Sequence, residues 1–197
     1  MRIIVRTILL TALFGVLATA GQAQVFMATL TGPSESPPNA SPGTGSATVT
    51  LNSAANTMRV QVSFSGLLGT TTASHIHSAT ALPGTGTAGV ATQTPSFALF
   101  PLGVTSGTAD QTLNMLDAAS YNPAFVAANG GTAASAETAL FGGISAGKAY
   151  LNIHTTTFPG GEIRGFLVQA VPEPGAVSLL GSLGLCGALL AVRRLRR

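Results

Sequence analysis

Residues 176–192 form an apolar run without a single charge, and Arg193, Arg194, Leu195, Arg196 and Arg197 follow it directly. At about 1.5 Å per helical residue the run covers about 25 Å, a little less than the roughly 30 Å of bilayer hydrocarbon. Flanking arginines reach to the headgroups and make up the difference. A chain ending this way is expected to be held in a membrane, its extreme C-terminus in the cytoplasm, so any water-facing fold must lie upstream. The opposite end carries Arg2 and Arg6, an apolar stretch from Ile8 to Ala18, and small residues at Ala18-Thr19-Ala20 and Gly21-Gln22-Ala23. That order reads as a secretory signal helix over residues 1–23, cleaved after Ala20 or Ala23. The Sec translocon and signal peptidase are the partners it implies. Residues 24–170 are left as the exported body.

Once the two ends are set aside, the charge changes sign. The formal net charge of +3 comes from targeting residues; the body holds Arg59, Lys148 and Arg164 against Glu35, Asp110, Asp117, Glu137 and Glu162. A body at −2 with no clustered Lys/Arg stripe excludes nucleic acid as a partner. The one cysteine, Cys186, falls in the apolar tail. The body therefore has no disulfide, although its compartment is oxidising, and its stability must come from a buried core.

Alternation makes the body mainly β. Met58, Val60, Val62 and Phe64 alternate with Arg59, Gln61, Ser63 and Ser65; Ala47, Val49 and Leu51 alternate with Ser46, Thr48 and Thr50. Val25–Thr31, Ala73–Ser78, Gly89–Gln93, Ala149–His154 and Glu162–Gln169 read as further strands, the last two joined around Pro159-Gly160-Gly161. Pro33, Pro37, Pro38 and Pro42 keep residues 32–43 out of any central ladder. Thr112–Ala118, Pro123–Ala128 and Ala134–Ile144 favour short helices, which predicts a helical insertion over about 112–147. Short antiparallel strands with Pro/Gly turns point to a sandwich or barrel. Gly84-Thr85-Gly86-Thr87-Ala88-Gly89 lacks the Lys and helix of a phosphate loop and reads as a turn.

The chain has three histidines, all in the body. Residues two apart on a strand share a face, so His75 and His77 project together while Ile76 points the other way. His154 shares a face with Asn152 and Tyr150. If the two strands are neighbours, three imidazoles converge as the ligand set of a site for one copper or zinc ion. The alternative is that the rings serve only as hydrogen-bonding groups where strands meet loops. Glu162 is placed either behind His154, orienting its ring, or in an exposed ion pair with Arg164. Ser74 and Ser78 fall on the face opposite the histidines, so no Ser-His nucleophile is expected, and no catalytic set is read.

Two resemblances follow from particular motifs. Val171-Pro172-Glu173-Pro174, the apolar run and the arginine end resemble the PEP-CTERM sorting signal of Gram-negative bacteria. This implies Pro172, Glu173 and Pro174 as the motif read by an exosortase-type membrane protease, with Arg193, Arg194, Arg196 and Arg197 as the membrane stop. A plain, permanent tail anchor is the other reading. Ala73-Ser74-His75-Ile76-His77, Ala149–Thr155 and Pro159–Gly165 resemble the CHRD domain, and so do Ala28–Gly32 and Glu35-Ser36-Pro37-Pro38. The resemblance implies an antiparallel Ig-like or Greek-key β-sandwich with a short helical insertion, of extracellular type and without established catalytic activity. Relatives often carry a Cys pair after His-Ile-His, where this chain has Ser78 and Ala79. The implied function is a non-catalytic binding or adhesion module. It would pass through the inner membrane to the cell surface or extracellular matrix and meet extracellular polysaccharide there.

Overall fold

The computed structural model describes residues 23–170. The expected signal helix, sorting motif and membrane helix lie outside them. Among the described residues no helix is long and apolar enough to cross a membrane. In chain order the elements are β1 (Gln24–Thr31), β2 (Thr44–Asn52), β3 (Thr57–Ser65), β4 (Thr71–His77), β5 (Gly107–Asn114), α1 (Pro123–Ala128), α2 (Ala133–Ser145), β6 (Tyr150–Thr155), β7 (Ile163–Phe166) and β8 (Val168–Gln169). Single 3-10 turns occupy Gly32–Ser34 and Ala118–Ser120.

The strands form one antiparallel sheet in the order β4-β6-β7-β1-β2-β3-β5, with β8 also paired to β1. The sandwich-like body is thus one curled sheet with two halves, joined where β1 pairs with β7 through Thr31 and Arg164. The expected alternation of β2 and β3 is present in full. Ala47, Val49, Leu51, Met58, Val60, Val62 and Phe64 enter the core, where they join Ile76, Leu151, Ile153 and Ile163 from the other half. Burial of these side chains is the main stabilising term, at roughly 25 cal/mol per Å² of apolar surface.

Three expectations are corrected. Thr112–Asn114 are not helical, because β5 runs through them and pairs with β3 from Phe64↔Gly107 to Thr57↔Asn114. Gln111 and Leu113 point inward and Thr112 and Asn114 outward, a period of 2 that the Leu and Met content obscured. The helical stretch starts at the 3-10 turn of Ala118. Gly89–Gln93 is not a strand and makes only single bridges, His77↔Val90 and Thr92↔Tyr121. The closing strand breaks in two at Leu167, whose fully buried side chain packs into the core.

The helices start where side chains accept the first free amides. Asn122 accepts from Ala124 N, and the Thr132 hydroxyl accepts from Ser135 N while the Ser135 hydroxyl closes back onto Thr132 N. Ala136, Leu140 and Ile144 then bury one face of α2.

At the β4 edge of the sheet, no further strand is added among the described residues. The loop 91–97 occupies the free groups instead. Ser74 N donates to Ser96 Oγ at 3.0 Å and Ile76 N to Thr92 Oγ1 at 2.9 Å. Phe97 N donates to Ser74 O at 3.0 Å and Ala91 N to Ile76 O at 2.9 Å.

Candidate metal centre

The face of β4, β6 and β7 that points away from the core carries the polar residues. Register sets two rungs across it, His75–Asn152–Arg164 and His77–Tyr150–Phe166. His154 pairs opposite Ala73, which places it diagonally next to His75. The three imidazoles therefore meet. Ring centroids are 4.7 Å apart for His75–His77 and His75–His154, and 6.2 Å for His77–His154. One ring nitrogen from each lies within 4.8 Å of the other two.

Hydrogen bonding identifies which nitrogens are free. His75 Nδ1 faces the Pro95 carbonyl at 3.2 Å, His77 Nδ1 the Ala88 carbonyl at 2.8 Å, and His154 Nδ1 the Pro159 carbonyl at 2.9 Å. A carbonyl only accepts, so in each neutral ring the proton sits on Nδ1 and Nε2 presents a bare lone pair. His75 Nε2 and His154 Nε2 are 2.9 Å apart. His77 Nε2 is buried with no partner. Two lone pairs facing each other at that distance repel, and only a shared proton or a cation between them removes the conflict.

Protonation is disfavoured here. Burial first, then repulsion from His154 and His77, pushes His75 down to about 3. Burial likewise lowers His77 to about 4, with His154 and the nearby Arg164 cation adding to the effect, and burial lowers His154 as well. The donor set fits a transition ion. Tetrahedral M–N bonds of about 2.0–2.1 Å require nitrogen separations of about 3.3 Å, between the 2.9 Å of the His75–His154 Nε2 pair and the 4.8 Å that bounds the whole cluster. Histidines that bind metal commonly donate the other ring N–H to a carbonyl in the same way.

Glu162 does not orient an imidazole. Its fully buried carboxylate accepts from Ser41 Oγ (2.6 Å), Leu68 N (2.6 Å), Gly69 N (3.2 Å) and Thr155 Oγ1 (2.6 Å). Burial alone would raise its pKa, but these four donors outweigh it and hold the group below its ordinary value. The Pro159 carbonyl takes the role expected of Glu162. Nor does Glu162 pair with Arg164. That guanidinium is buried, donates from Nε to Ser34 O and from Nη1 to Gly86 O, and lies 3.8 Å from Glu35 Oε2. Burial raises the Glu35 carboxyl to about 7 against the pull of Arg164.

Aromatic packing joins the cation to the cluster. The Tyr150 ring stacks on His77 at 4.7 Å and 6°, and Arg164 Cζ lies 4.7 Å from the same ring's centroid, approaching from the β7 side. The glycine-rich segment is a turn, as expected, with Gly84 and Gly86 at φ +68° and +83°. It lends its carbonyls to the site, Gly86 to Arg164 and Ala88 to His77. Ser74 lies on the opposite face, where its hydroxyl donates to Asn152 O at 3.0 Å.

No curated protein and no solved structure shows significant similarity to this chain. The CHRD domain family matches residues 26–167, a span that takes in all three histidines, the capping loops and every strand from the third residue of β1 to β7. The chain belongs to the CHRD domain family.

Proposed function

We propose that this CHRD module binds a single copper or zinc ion through the Nε2 atoms of His75, His77 and His154. One observation carries the reading: each Nδ1 faces a backbone carbonyl, which leaves the other nitrogens of three converging rings as ligands in a partly buried cluster. Metal analysis of the purified protein tests it, repeated on a His75→Ala/His77→Ala variant. One equivalent of metal that disappears in the variant supports the site, and none in either protein refutes it.

The terminal segments supply the address. The module is exported, carried to the inner membrane, and delivered to the cell surface or extracellular matrix after an exosortase reads Pro172-Glu173-Pro174. Pulse-labelling tests this step, since a tail retained in cells with an active exosortase makes it a simple anchor.

A specific surface favours a second role beside the first, adhesion to extracellular polysaccharide. The outer face of β2, β3 and β5 carries the rows Asp110–Gln61–Thr48 and Thr108–Ser63–Ser46, a hydroxyl- and amide-rich surface suited to sugar hydroxyls. Retention on immobilised exopolysaccharide, lost when Ser63 and Thr108 are both replaced by Lys, is the test.

A further inference from the structure

We propose that the three-histidine cluster is built for a monovalent ion, cuprous copper, in preference to zinc(II) or copper(II). This deepens the metal-site reading and rests on it. The argument is electrostatic. The cost of moving an ion from water into a buried site grows with the square of its charge, so a divalent ion pays about four times the desolvation penalty of a monovalent one. A three-histidine site for a divalent ion leaves that penalty to a bound water or hydroxide in the fourth position, and no carboxylate joins this cluster to share it. Among the described residues the converging group contains three neutral imidazoles and no carboxylate.

The two nearest candidates for a counter-charge are committed elsewhere. Glu162 is satisfied by four donors on the other side of its loop. Glu35 lies beside Arg164, and burial holds its carboxyl up at about 7. A fixed positive charge is present as well, because the guanidinium of Arg164 sits against Tyr150, whose ring stacks on His77. The site therefore opposes cations in proportion to their charge. Three imidazole nitrogens also complete the coordination of a d10 cuprous ion, which is stable with three ligands, whereas zinc takes a fourth that solvent has to supply here.

The full chain in detergent, stripped of metal and carrying Cys186→Ser so that no thiol competes, is titrated anaerobically. Cu(I) is set against a chromogenic cuprous chelator and Zn(II) against a zinc indicator. The expected result is one Cu(I) per chain, bound at least roughly 100-fold more tightly than Zn(II). Binding should be lost in a His75→Ala/His154→Ala variant whose circular dichroism matches the parent. Zn(II) binding equal to or tighter than Cu(I) at the same histidines overturns the charge argument and leaves the metal site standing. Absence of both ions overturns the site itself.

Discussion

Replacing Glu162 with Gln should unlock the loops around the site without emptying it. The carboxylate is a four-way clasp. Ser41 and Leu68 donate to Oε1, and Gly69 and Thr155 to Oε2. An amide of the same shape presents one oxygen and one NH2. With its oxygen kept toward Ser41 and Leu68, the NH2 faces a hydroxyl that can turn and an amide N–H that cannot. Gly69 N is then a buried donor without an acceptor, at about 1–3 kcal/mol. The remaining bonds lose their charge assistance, which roughly halves each of them. Relief of the buried charge offsets part of this, so the net loss is about 2–4 kcal/mol, or roughly 10 °C in Tm for a domain of this size. Urea unfolding at pH 7 measures it directly.

The pH dependence provides a second check. The folded-state pKa lies below the ordinary value of 4.5, so the clasp contributes fully above that value and its contribution is lost as pH falls through the folded pKa. The gap between wild type and Glu162→Gln should therefore hold from pH 7 to about pH 5 and narrow progressively as pH falls below about 4.5. Metal stoichiometry should not change, because the carboxylate touches no imidazole. A variant within about 0.5 kcal/mol of wild type at pH 7, or one that loses its metal while keeping its stability, would refute the clasp.

Three other outcomes are expected. The metal-free protein should lose stability as pH falls below 6.5, because unfolded histidines take up protons that His75 and His77 refuse until about 3 and 4. The slope approaches about 1.4 kcal/mol per pH unit for each neutral ring, and equal denaturation midpoints at pH 7 and pH 5 would contradict it. Gly165→Ala should cost at least about 1–3 kcal/mol, since a Cβ there runs into the Thr29 carbonyl and comes within 3.2 Å of Leu30 Cδ2; thermal melting reads the loss. Arg164→Gln removes the positive charge that opposes protonation of His77, so the His77 Cε1–H titration followed by NMR should move to higher pH. No movement would sever the stacked link from Arg164 to the cluster.

How much of this was legible in the chain varied with the range of the interaction. β2 and β3 are a hairpin, and their alternation is written in adjacent residues. β5 was misread because its partner, β3, lies some fifty residues earlier in the chain, as the Arg59↔Thr112 pairing shows. Thr112-Leu113-Asn114-Met115-Leu116 looks helical until that pairing is known, and tertiary pairing overrides local preference. His75 and His77 share a face by period alone. Their meeting with His154 depends on β4 lying beside β6, which no spacing encodes. The carbonyls of Ala88, Pro95 and Pro159 carried no signal, since every residue has one. Glu162 misled through nearness in sequence, lying eight positions after His154 yet bonding on the other side of its loop. Arg164 and Glu35 were missed as a pair because a 3-10 turn and a loop bring residues from opposite ends of the domain together.

The sealed margin at β4 has a consequence wherever copies of the protein are crowded together. An open strand there would invite stacking into fibrils. The Thr92 and Ser96 hydroxyls close the amide groups of that rail and the Ala91 and Phe97 amides close its carbonyls, so a neighbouring copy finds no ladder to extend. Two small side chains hold the amide half of this seal, and a Thr92→Val/Ser96→Ala chain should be the one that fibrillates.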